Sequence, residues 1–433
     1  MNDHHRKIKE LYLQLRGLPL QERATRLDLL GSEDPALRSE VESLLAADST
    51  MPENFLTQAM PQSKGSGFDS SNYRIIRSLG SGGMGEVWLA EQTRPVTRQV
   101  ALKVMRWGLD STEALARFDA ECQALARMVH PGIAQLFDAG TKSDGRPCLA
   151  MEYVPGLPIT EYCDQNQLGL RDRIELFRQL CLAVQHAHQN GVIHRDLKPS
   201  NILVAQVDGG PHVKIIDFGV AKSIAQPLTE RTLQTELHHL IGTPAYMSPE
   251  QADMRFQGVD TRSDIYSLGV VLYELLCGLP PFDAQRLRDA GYEEMLRIIR
   301  NEEPMRLDRR IKSLDEGATR LAHLRKTEPA ALIRAVSGDL SWIVAKALRK
   351  DPERRFTSVA EFLEDIDRHL AHRPVEARPD SLSYRASRFV IRHRFGVASA
   401  TLVLAILVAY AITVTFQAQA LTLERDRVLA EVK

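Results

Sequence analysis

Residues 192–204 read Val-Ile-His-Arg-Asp-Leu-Lys-Pro-Ser-Asn-Ile-Leu-Val, and this stretch decides the fold assignment. It contains one carboxylate, Asp196, and one amide, Asn201, and a second acidic side chain, Asp217 of Asp-Phe-Gly, follows sixteen residues after the amide. Two acidic groups and an amide that converge on one site can hold Mg²⁺ and orient a hydroxyl group, because Mg²⁺ prefers a few protein oxygens and phosphate oxygens as ligands. The combination is specific and predicts a phosphate-handling site.

A glycine-rich segment precedes this stretch. Residues 79–87 read Leu-Gly-Ser-Gly-Gly-Met-Gly-Glu-Val, and glycine allows backbone N–H groups to approach phosphates without an intervening Cβ. A dinucleotide site uses the same glycine spacing, but there a helix begins at the glycines. Because residues 86–90 (Glu-Val-Trp-Leu-Ala) read as a strand, we expect a β-hairpin turn folded over a nucleotide.

One lysine, Lys103, lies among apolar neighbours in the next predicted strand, residues 99–105. A buried lysine needs an anionic partner, and the phosphates of ATP and a carboxylate would supply two. Glu121, in the middle of the helix that follows, is the best carboxylate. A strand lysine whose amine reaches solvent is the alternative interpretation.

The pattern of predicted elements is that of an α+β protein. The predicted elements of the first part are strands at 73–79, 86–92 and 99–105, a helix at 112–128, and strands near 133–138 and 147–152. From Gly156 to about residue 371 the pattern is mainly helical. A small antiparallel sheet followed by a larger helical body is therefore expected.

In this order the motifs resemble the catalytic domain of eukaryotic-type protein kinases, in the bacterial membrane-anchored serine/threonine group. The matching motifs are the glycine loop, Val-Ala-Leu-Lys, the helix glutamate, His-Arg-Asp, Asp-Phe-Gly and Ser-Pro-Glu at 248–250. The resemblance covers residues 73–371 and implies a bilobal protein kinase fold. That fold has a small antiparallel β-sheet N-lobe with one helix and a large, mainly helical C-lobe.

The resemblance implies a catalytic role for each matching residue. Lys103 would hold the α- and β-phosphates of ATP and pair with Glu121. Asp196 would accept or orient the proton of the substrate hydroxyl. Asn201 and Asp217 would bind Mg²⁺, with Mn²⁺ as an alternative ion, so that catalysis rests on positioning and charge neutralisation.

The resemblance also implies an ATP-binding set. Its members are Leu79, Gly80, Ser81, Gly82, Gly83, Met84, Gly85, Glu86, Val87, Ala101, Lys103, Met151, Glu152, Val154 and Leu203. Met151 would be the gatekeeper, and backbone groups of Glu152 and Val154 would bond the adenine edge. Lys198 would contact the γ-phosphate, and its presence, together with Thr243, favours serine and threonine over tyrosine as substrates.

A further group of matching residues is expected to be structural: His194, Arg195, Thr243, Glu250, Asp264 and Arg355. Glu250 would form a buried ion pair with Arg355. Asp264 would bond the backbone of the catalytic loop, and His194 would pack and form hydrogen bonds rather than act as a base.

The segment between Gly219 and Gly242 is long and rich in hydroxyl groups. A phosphate on this loop could pair with Arg195 and order it. We therefore expect autophosphorylation at Thr232 or Thr235. Constitutive activity without loop phosphorylation is the alternative.

The rest of the chain divides into five segments. A helical segment at 1–50 and a linker at 51–72 precede the kinase-like region, and a basic juxtamembrane segment at 372–394 follows it. Residues 395–416 are uncharged and long enough to span a bilayer as a single transmembrane helix. Residues 417–433 would form a short extracytoplasmic helical tail, too short for a folded sensor domain.

Composition excludes several classes of protein. The 433 residues carry 55 basic and 56 acidic side chains, so the basic excess of a nucleic-acid binder is missing. With 44% hydrophobic residues the chain is not disordered, and five scattered cysteines form neither a zinc ribbon nor a disulfide framework. We expect protein serine and threonine substrates, a single-pass location in the cell inner membrane with a cytoplasmic kinase domain, and no nucleic acid.

Two functions other than that of a signalling kinase are a pseudokinase scaffold and a small-molecule phosphotransferase. A pseudokinase scaffold would bind nucleotide or partners without turnover, but the four residues Lys103, Asp196, Asn201 and Asp217 are intact. A small-molecule phosphotransferase would lack the Gly-Thr-Pro-Ala-Tyr and Ser-Pro-Glu segments of peptide-substrate kinases. Signals could arrive through a homodimer of membrane helices, through a longer C-terminal region, or from the cytoplasm.

Overall fold

The computed structural model describes residues 70–82, 85–105, 112–142, 146–218, 244–253, 260–379 and 381–431. The expected helical segment at 1–50 and nearly all of the expected linker lie outside these ranges.

The first lobe is a five-stranded antiparallel sheet with one helix. Its strands are β1 (Tyr73–Gly82), β2 (Gly85–Gln92), β3 (Arg98–Met105), β4 (Leu136–Thr141) and β5 (Pro147–Glu152), and its helix is α1 (Thr112–Arg127). The strand order is β1-β2-β3-β5-β4. Alternating apolar side chains bury one face of the sheet around Ala90, Val100 and Ala150. Phe118 and Cys122 of α1 pack against the other face beside Leu149.

The second lobe is mainly helical. Its helices up to residue 370 are α2 (Ile159–Gln165), α3 (Leu170–Gln189), α4 (Thr261–Cys277), α5 (Ala284–Asp289), α6 (Tyr292–Asn301), α7 (Leu307–Lys312), α8 (Glu316–His323), α9 (Pro329–Val336), α10 (Asp339–Ala347) and α11 (Val359–Leu370). Two cores, one centred on α3, α4, α10 and α11 and a smaller one around α6, hold these helices together. The α+β, two-lobed architecture expected from the sequence is confirmed.

Helix α4 forms the centre of this lobe and is buried along almost its whole length. Asp260 caps its first turn by accepting from the N–H of Arg262 at 2.8 Å. Gly278 ends the helix with a φ of 78°, a conformation that glycine adopts without steric cost. The helix thereby has fixed ends and carries Asp264 in its first turn to a defined position.

The helical lobe also contains a three-stranded sheet that the sequence pattern did not resolve. It consists of β6 (Leu157–Pro158), β7 (Ile202–Val207) and β8 (Gly210–Ile215), with β7 in the centre. Asp208 and Gly209 connect β7 to β8 with positive φ angles of 49° and 79°, as an Asp-Gly hairpin turn requires. The Asp208-Gly209 dipeptide is the feature of the sequence that could have predicted this hairpin. The hairpin places Asn201 at its start and Asp217 just beyond its end.

Two further helices, α12 (Leu382–Arg392) and α13 (Arg394–Glu431), follow the helical lobe. Within α13, the most apolar part of Phe395–Leu423 has a mean hydropathy of 2.4, and none of that part is buried. This segment is long and apolar enough to cross a bilayer. A core helix of similar composition would instead be covered by protein.

Candidate active site

The cleft between the lobes contains Lys103 of β3. Its side chain is 4% exposed, and its Nζ contacts Oδ1 of Asp217 from the other lobe. An amine buried this deeply needs an anionic partner, which Asp217 supplies. The N–H of Ile216 donates to the carbonyl of Asn201 at 2.9 Å, and this bond holds Asp217 close to the catalytic loop.

Glu121 lies half-buried on α1, the helix that packs beside β4 and β5. The acidic partner of Lys103 seen in the described residues is Asp217. Pairing of Lys103 with Glu121 therefore stays a prediction.

The catalytic loop, residues 194–201, brings three of the expected residues into direct contact. Nζ of Lys198 lies 2.8 Å from Oδ2 of Asp196. Nδ2 of Asn201 donates to the backbone carbonyl of Asp196 at 2.9 Å and to its carboxylate at 3.3 Å. The loop therefore presents a carboxylate, an amine and an amide as one connected group.

The carboxylate of Asp264 on α4 holds the backbone of this loop through hydrogen bonds. Its two carboxylate oxygens accept from the N–H groups of His194 and Arg195 at 2.8 and 2.9 Å, and Oδ2 also bonds Nε2 of His188 at 2.8 Å. Burial alone would raise the pKa of Asp264, but the bonds with His188 and the loop hold it below its ordinary value. The resulting carboxylate fixes the backbone immediately before Asp196.

His194 is buried and packs against Phe218, with ring centroids 4.7 Å apart. Burial lowers the pKa of His194, although the surrounding carboxylates oppose that shift. The imidazole is therefore neutral near pH 7 and packs beneath the site.

The described residues of the glycine-rich segment lie on two paired strands, the end of β1 and the start of β2. The Cα of Gly82 pairs with that of Gly85, and Gly80 and Ser81 pair with Val87 and Glu86. Gly85 has a φ of 151°, and an added Cβ would lie 2.2 Å from the carbonyl oxygen of Val104. Only glycine fits at this close approach of two backbones.

Residues of the expected adenine pocket lie where β3, β5 and β7 meet the cleft. Ala101 is paired with Met151 across β3 and β5, and Met151 packs against the core below α1. The N–H of Glu152 donates to the carbonyl of Gln135 at 2.8 Å, so this N–H is already engaged. Val154 is buried, Leu203 is half-buried, and Leu79 is 37% exposed on β1.

Glu250 and Arg355 form a bidentate ion pair in which both N–O distances are 2.7 Å. Ser263 also donates to Glu250 at 2.6 Å. Burial would raise the pKa of Glu250, but the Arg355 guanidinium holds it below its ordinary value. The pair ties the Ser-Pro-Glu segment to the turn before α11.

Several contacts that support the site were not expected from the sequence. His188 bonds Asp264, and Gln251 donates from Nε2 to the carbonyl of Arg195 at 2.8 Å. Lys214 of β8 pairs with the carboxylate of Glu152 at 2.5 and 2.6 Å. These partners lie 56 to 76 residues apart, so no local pattern could have revealed them.

Five expected site residues lie outside the described residues: Gly83, Met84, Thr232, Thr235 and Thr243. Their assigned roles stay predictions.

The donor set at the cleft suits a hard divalent cation bound with a nucleotide. Because Nδ2 of Asn201 is engaged by Asp196, its Oδ1 is the group that can turn to a cation beside the carboxylate of Asp217. The described residues contain no cluster of three or more His, Cys, Asp or Glu side chains for a metal without substrate. Mg²⁺ prefers a few protein oxygens together with phosphate oxygens, and an amide and a carboxylate are protein ligands of that kind.

The two lobes and the charged cleft between them define a protein built to position a nucleotide against a loop carboxylate. The family described as Protein kinase domain matches residues 73–369. The chain belongs to this family.

Curated relatives include serine/threonine-protein kinases of bacteria. The chain is 36% identical over 313 residues to the serine/threonine-protein kinase PknB of Mycobacterium leprae, and 35% identical over 319 residues to Pkn1 of Myxococcus xanthus. These alignments cover 71% and 72% of this chain, but only 44% and 40% of the relatives. The chain thus spans less than half of their length.

Among solved structures, the crystal structure of the Mycobacterium tuberculosis PknI kinase domain matches with 26% sequence identity and a TM-score of 0.48. The match covers 70% of this chain and 99% of that one.

Proposed function

We propose that this chain transfers the γ-phosphate of Mg-ATP to serine and threonine hydroxyls of proteins. The observation that carries the proposal is the convergence of Lys103, Asp217, Asn201 and Asp196 on one cleft through direct contacts. Family membership and the printed names of the relatives support it.

Each group in the cleft has a chemical task in this reaction. The amine of Lys103 would hold the α- and β-phosphates, and Glu121 would steady that amine. Asn201 and Asp217 would hold Mg²⁺ or Mn²⁺, which neutralises phosphate charge when bound. Asp196 would orient the substrate hydroxyl and accept its proton.

Lys198 is placed to stabilise the charge that moves during transfer. Its amine pairs with Asp196 at 2.8 Å. With ATP in the cleft, the γ-phosphate would compete for this amine and leave the Asp196 carboxylate facing the hydroxyl. Lys198 and Thr243 together support serine and threonine as the accepting residues.

Phosphoamino acid analysis tests the proposal. The purified chain is incubated with casein and Mg-[γ-³²P]ATP, beside Lys103→Met and Asp217→Asn. Label on serine or threonine is expected with the wild-type chain and a loss of at least about 100-fold in both variants. Asp208→Asn, at the exposed β7–β8 turn, is the matched control. Equal label in all four proteins would support a scaffold without turnover.

We also propose autophosphorylation of the activation segment at Thr232 or Thr235. The backbone of Arg195 is held at a φ of 64° by Asp264 and Gln251, so this arginine is fixed beside Asp196. A phosphate on the segment could pair with it. Phosphopeptide mapping of active protein is expected to find a modified residue in 223–241. An unmodified segment in fully active protein would refute this step.

We propose finally that residues 395–416 anchor the chain in the inner membrane once, with the kinase region in the cytoplasm where ATP is available. The exposed apolar helix supports the anchor, and the arginines before it exceed the basic residues after it. A transmembrane signal would then reach the kinase region, with or without dimerisation of the helix. Protease protection of inverted vesicles tests this: the kinase region is expected to be digested without detergent, and full protection would contradict the orientation.

A further inference from the structure

A cavity of about 790 Å³ lies in the helical lobe outside the nucleotide cleft. It is bounded by α10, α11, the turn before α11, the segment 374–379 and α12. None of its lining residues belongs to the expected ATP or substrate site, and its volume is that of a small-ligand site.

The lining of this juxtamembrane cavity is strongly cationic. Six basic side chains line it: Lys346, Arg349, Arg354, Arg368, Arg378 and Arg385. Glu376 is the one acidic residue of the lining. Glu376 pairs with Arg368 at 2.6 Å, and Glu364 also pairs with that arginine. The carboxylates that pair with Lys346, Arg354 and Arg378, from Glu361, Asp351 and Asp339, are not part of the lining. Because a guanidinium has five N–H donors, an arginine with one carboxylate partner retains donors for an anion.

The remaining wall is apolar. It includes the indole of Trp342 and the side chains of Pro374, Val375 and Pro379. An inorganic ion would make no favourable contacts with such a wall, whereas the glycerol backbone of a phospholipid would pack against it. Tryptophan is also the residue type that is enriched where proteins meet the headgroup layer.

The wall formed by residues 374–379 is fixed by the kinase domain. The carboxylate of Asp365 on α11 accepts from the N–H groups of Glu376 and Ala377 at 2.7 and 2.8 Å. The hydroxyl of Tyr384 accepts from the N–H of Val375 at 3.0 Å. The cavity therefore exists before any ligand binds, which lowers the entropic cost of binding.

Helix α12 is held to the same surface and leads into the apolar helix. Arg388 of α12 pairs with the buried carboxylate of Asp339 at the start of α10. Ten residues separate Arg385 in the cavity lining from Phe395, the first residue of the apolar segment. The cavity lining is therefore close in sequence to the apolar segment.

We propose that this cavity binds the phosphate-bearing headgroup of an anionic phospholipid. The basic side chains would receive the phosphate, and the apolar wall would receive the glycerol backbone. The inference rests on the proposed membrane anchor but not on kinase activity.

Native mass spectrometry of the full chain in mild detergent tests the site, with phosphatidylglycerol or phosphatidylcholine added as the probe. One retained phosphatidylglycerol per chain is expected, and phosphatidylcholine is expected to dissociate. The double substitution Arg349→Gln with Arg354→Gln should weaken retention about 25-fold, because each basic residue near an anionic lipid is worth about fivefold. Neither side chain belongs to the catalytic machinery.

Arg309→Gln with Arg320→Gln is the matched control, since it removes two exposed arginines of the same lobe outside the cavity. Ala345→Glu places an acid in the lining at an exposed position and should also abolish retention. Equal weakening by the cavity and control pairs would overturn the site, as would equal retention of both lipids. Displacement by millimolar inorganic phosphate would overturn the lipid as its occupant.

Failure of the anchor gives a different result. A chain recovered without detergent in the soluble fraction would refute the membrane anchor. Titration of that soluble chain with dioctanoyl-phosphatidylglycerol, beside the cavity pair, would still decide whether the cavity takes the headgroup.

Discussion

At the residue scale, the site depends on carboxylates that are held ionised in buried positions. Asp264 is 1% exposed and accepts from the backbone of His194 and Arg195, and His188 completes its surroundings. Such a group contributes positioning rather than chemistry, since it touches the loop and not the reacting atoms. Its replacement should therefore change turnover without removing the nucleotide site.

Asp264→Asn is expected to lower kcat up to about 100-fold, because an amide offers one acceptor oxygen where two N–H groups and His188 need partners. The KM for ATP should change little, since the residues proposed to contact the nucleotide lie elsewhere. Steady-state kinetics with a peptide substrate checks both values, with Asp208→Asn as the control. A loss confined to the KM for ATP would contradict the positioning role.

The pKa of Glu274 on α4 is shifted in the opposite direction to that of Asp264. Burial raises the pKa of Glu274 to about 7, although the hydroxyl of Tyr246, which donates to it at 2.6 Å, lowers it. The folded protein therefore holds a proton here that the unfolded chain releases above about pH 4.5. The stability that this proton confers is complete below pH 4.5 and is lost as the pH rises through 7, by about 3 kcal/mol.

Glu274→Gln should remove this decline. Thermal unfolding of both proteins between pH 5 and 8 is the measurement. The melting temperature of the variant is expected to rise relative to that of the wild type as the pH increases. Parallel curves for the two proteins would show that Glu274 is ionised in the fold throughout.

At the element scale, the packing of α4 against α10 fixes the centre of the helical lobe. Gly269 lies at that contact, and an added Cβ would be 2.8 Å from the Cβ of Ala347 and 3.1 Å from Leu348. Helix α10 is itself connected to α12 by the ion pair between the side chains of Asp339 and Arg388. The same helix pair therefore connects the loop-supporting Asp264 with the juxtamembrane cavity.

Gly269→Ala is expected to lower the free energy of unfolding by about 1–3 kcal/mol, despite the higher helix propensity of alanine, because the core must shift to admit the methyl group. Gly317→Ala on exposed α8 is the control, since its Cβ would meet its nearest neighbour at 3.5 Å. That variant should be neutral or stabilised. Chemical denaturation of both checks the prediction, and equal midpoints would contradict close packing at Gly269.

At the scale of the whole molecule, the lobes are joined by polar contacts across the cleft. Lys103 meets Asp217, Glu152 meets Lys214, and the N–H of Ile215 donates to the carbonyl of Gly132 at 2.8 Å. Two of these contacts involve groups assigned to the nucleotide. Nucleotide binding would therefore act directly on the connection between the lobes.

The sequence predicted the parts of this molecule that local motifs encode. The approximate positions of the first five strands along the chain, the α+β arrangement and the placement of Lys103 on a buried strand followed from periodicity and residue type. The β7–β8 hairpin was missed because both strands are only six residues long. The apolar run of β7 resembles a buried helix, and β8 (Gly-Pro-His-Val-Lys-Ile) has too few apolar residues to read as a strand. The bonds of His188 and Lys214 were missed because they depend on how distant elements pack.

The central claim is that Asp196 orients the substrate hydroxyl and accepts its proton while ATP is bound. Two quantities measured for Asp196→Asn test it most directly. These are kcat for peptide phosphorylation and the Kd for ATP, each compared with the wild-type chain. We expect kcat to fall at least about 100-fold while the Kd changes by less than about threefold. An unchanged kcat in a variant that binds ATP normally would contradict the account.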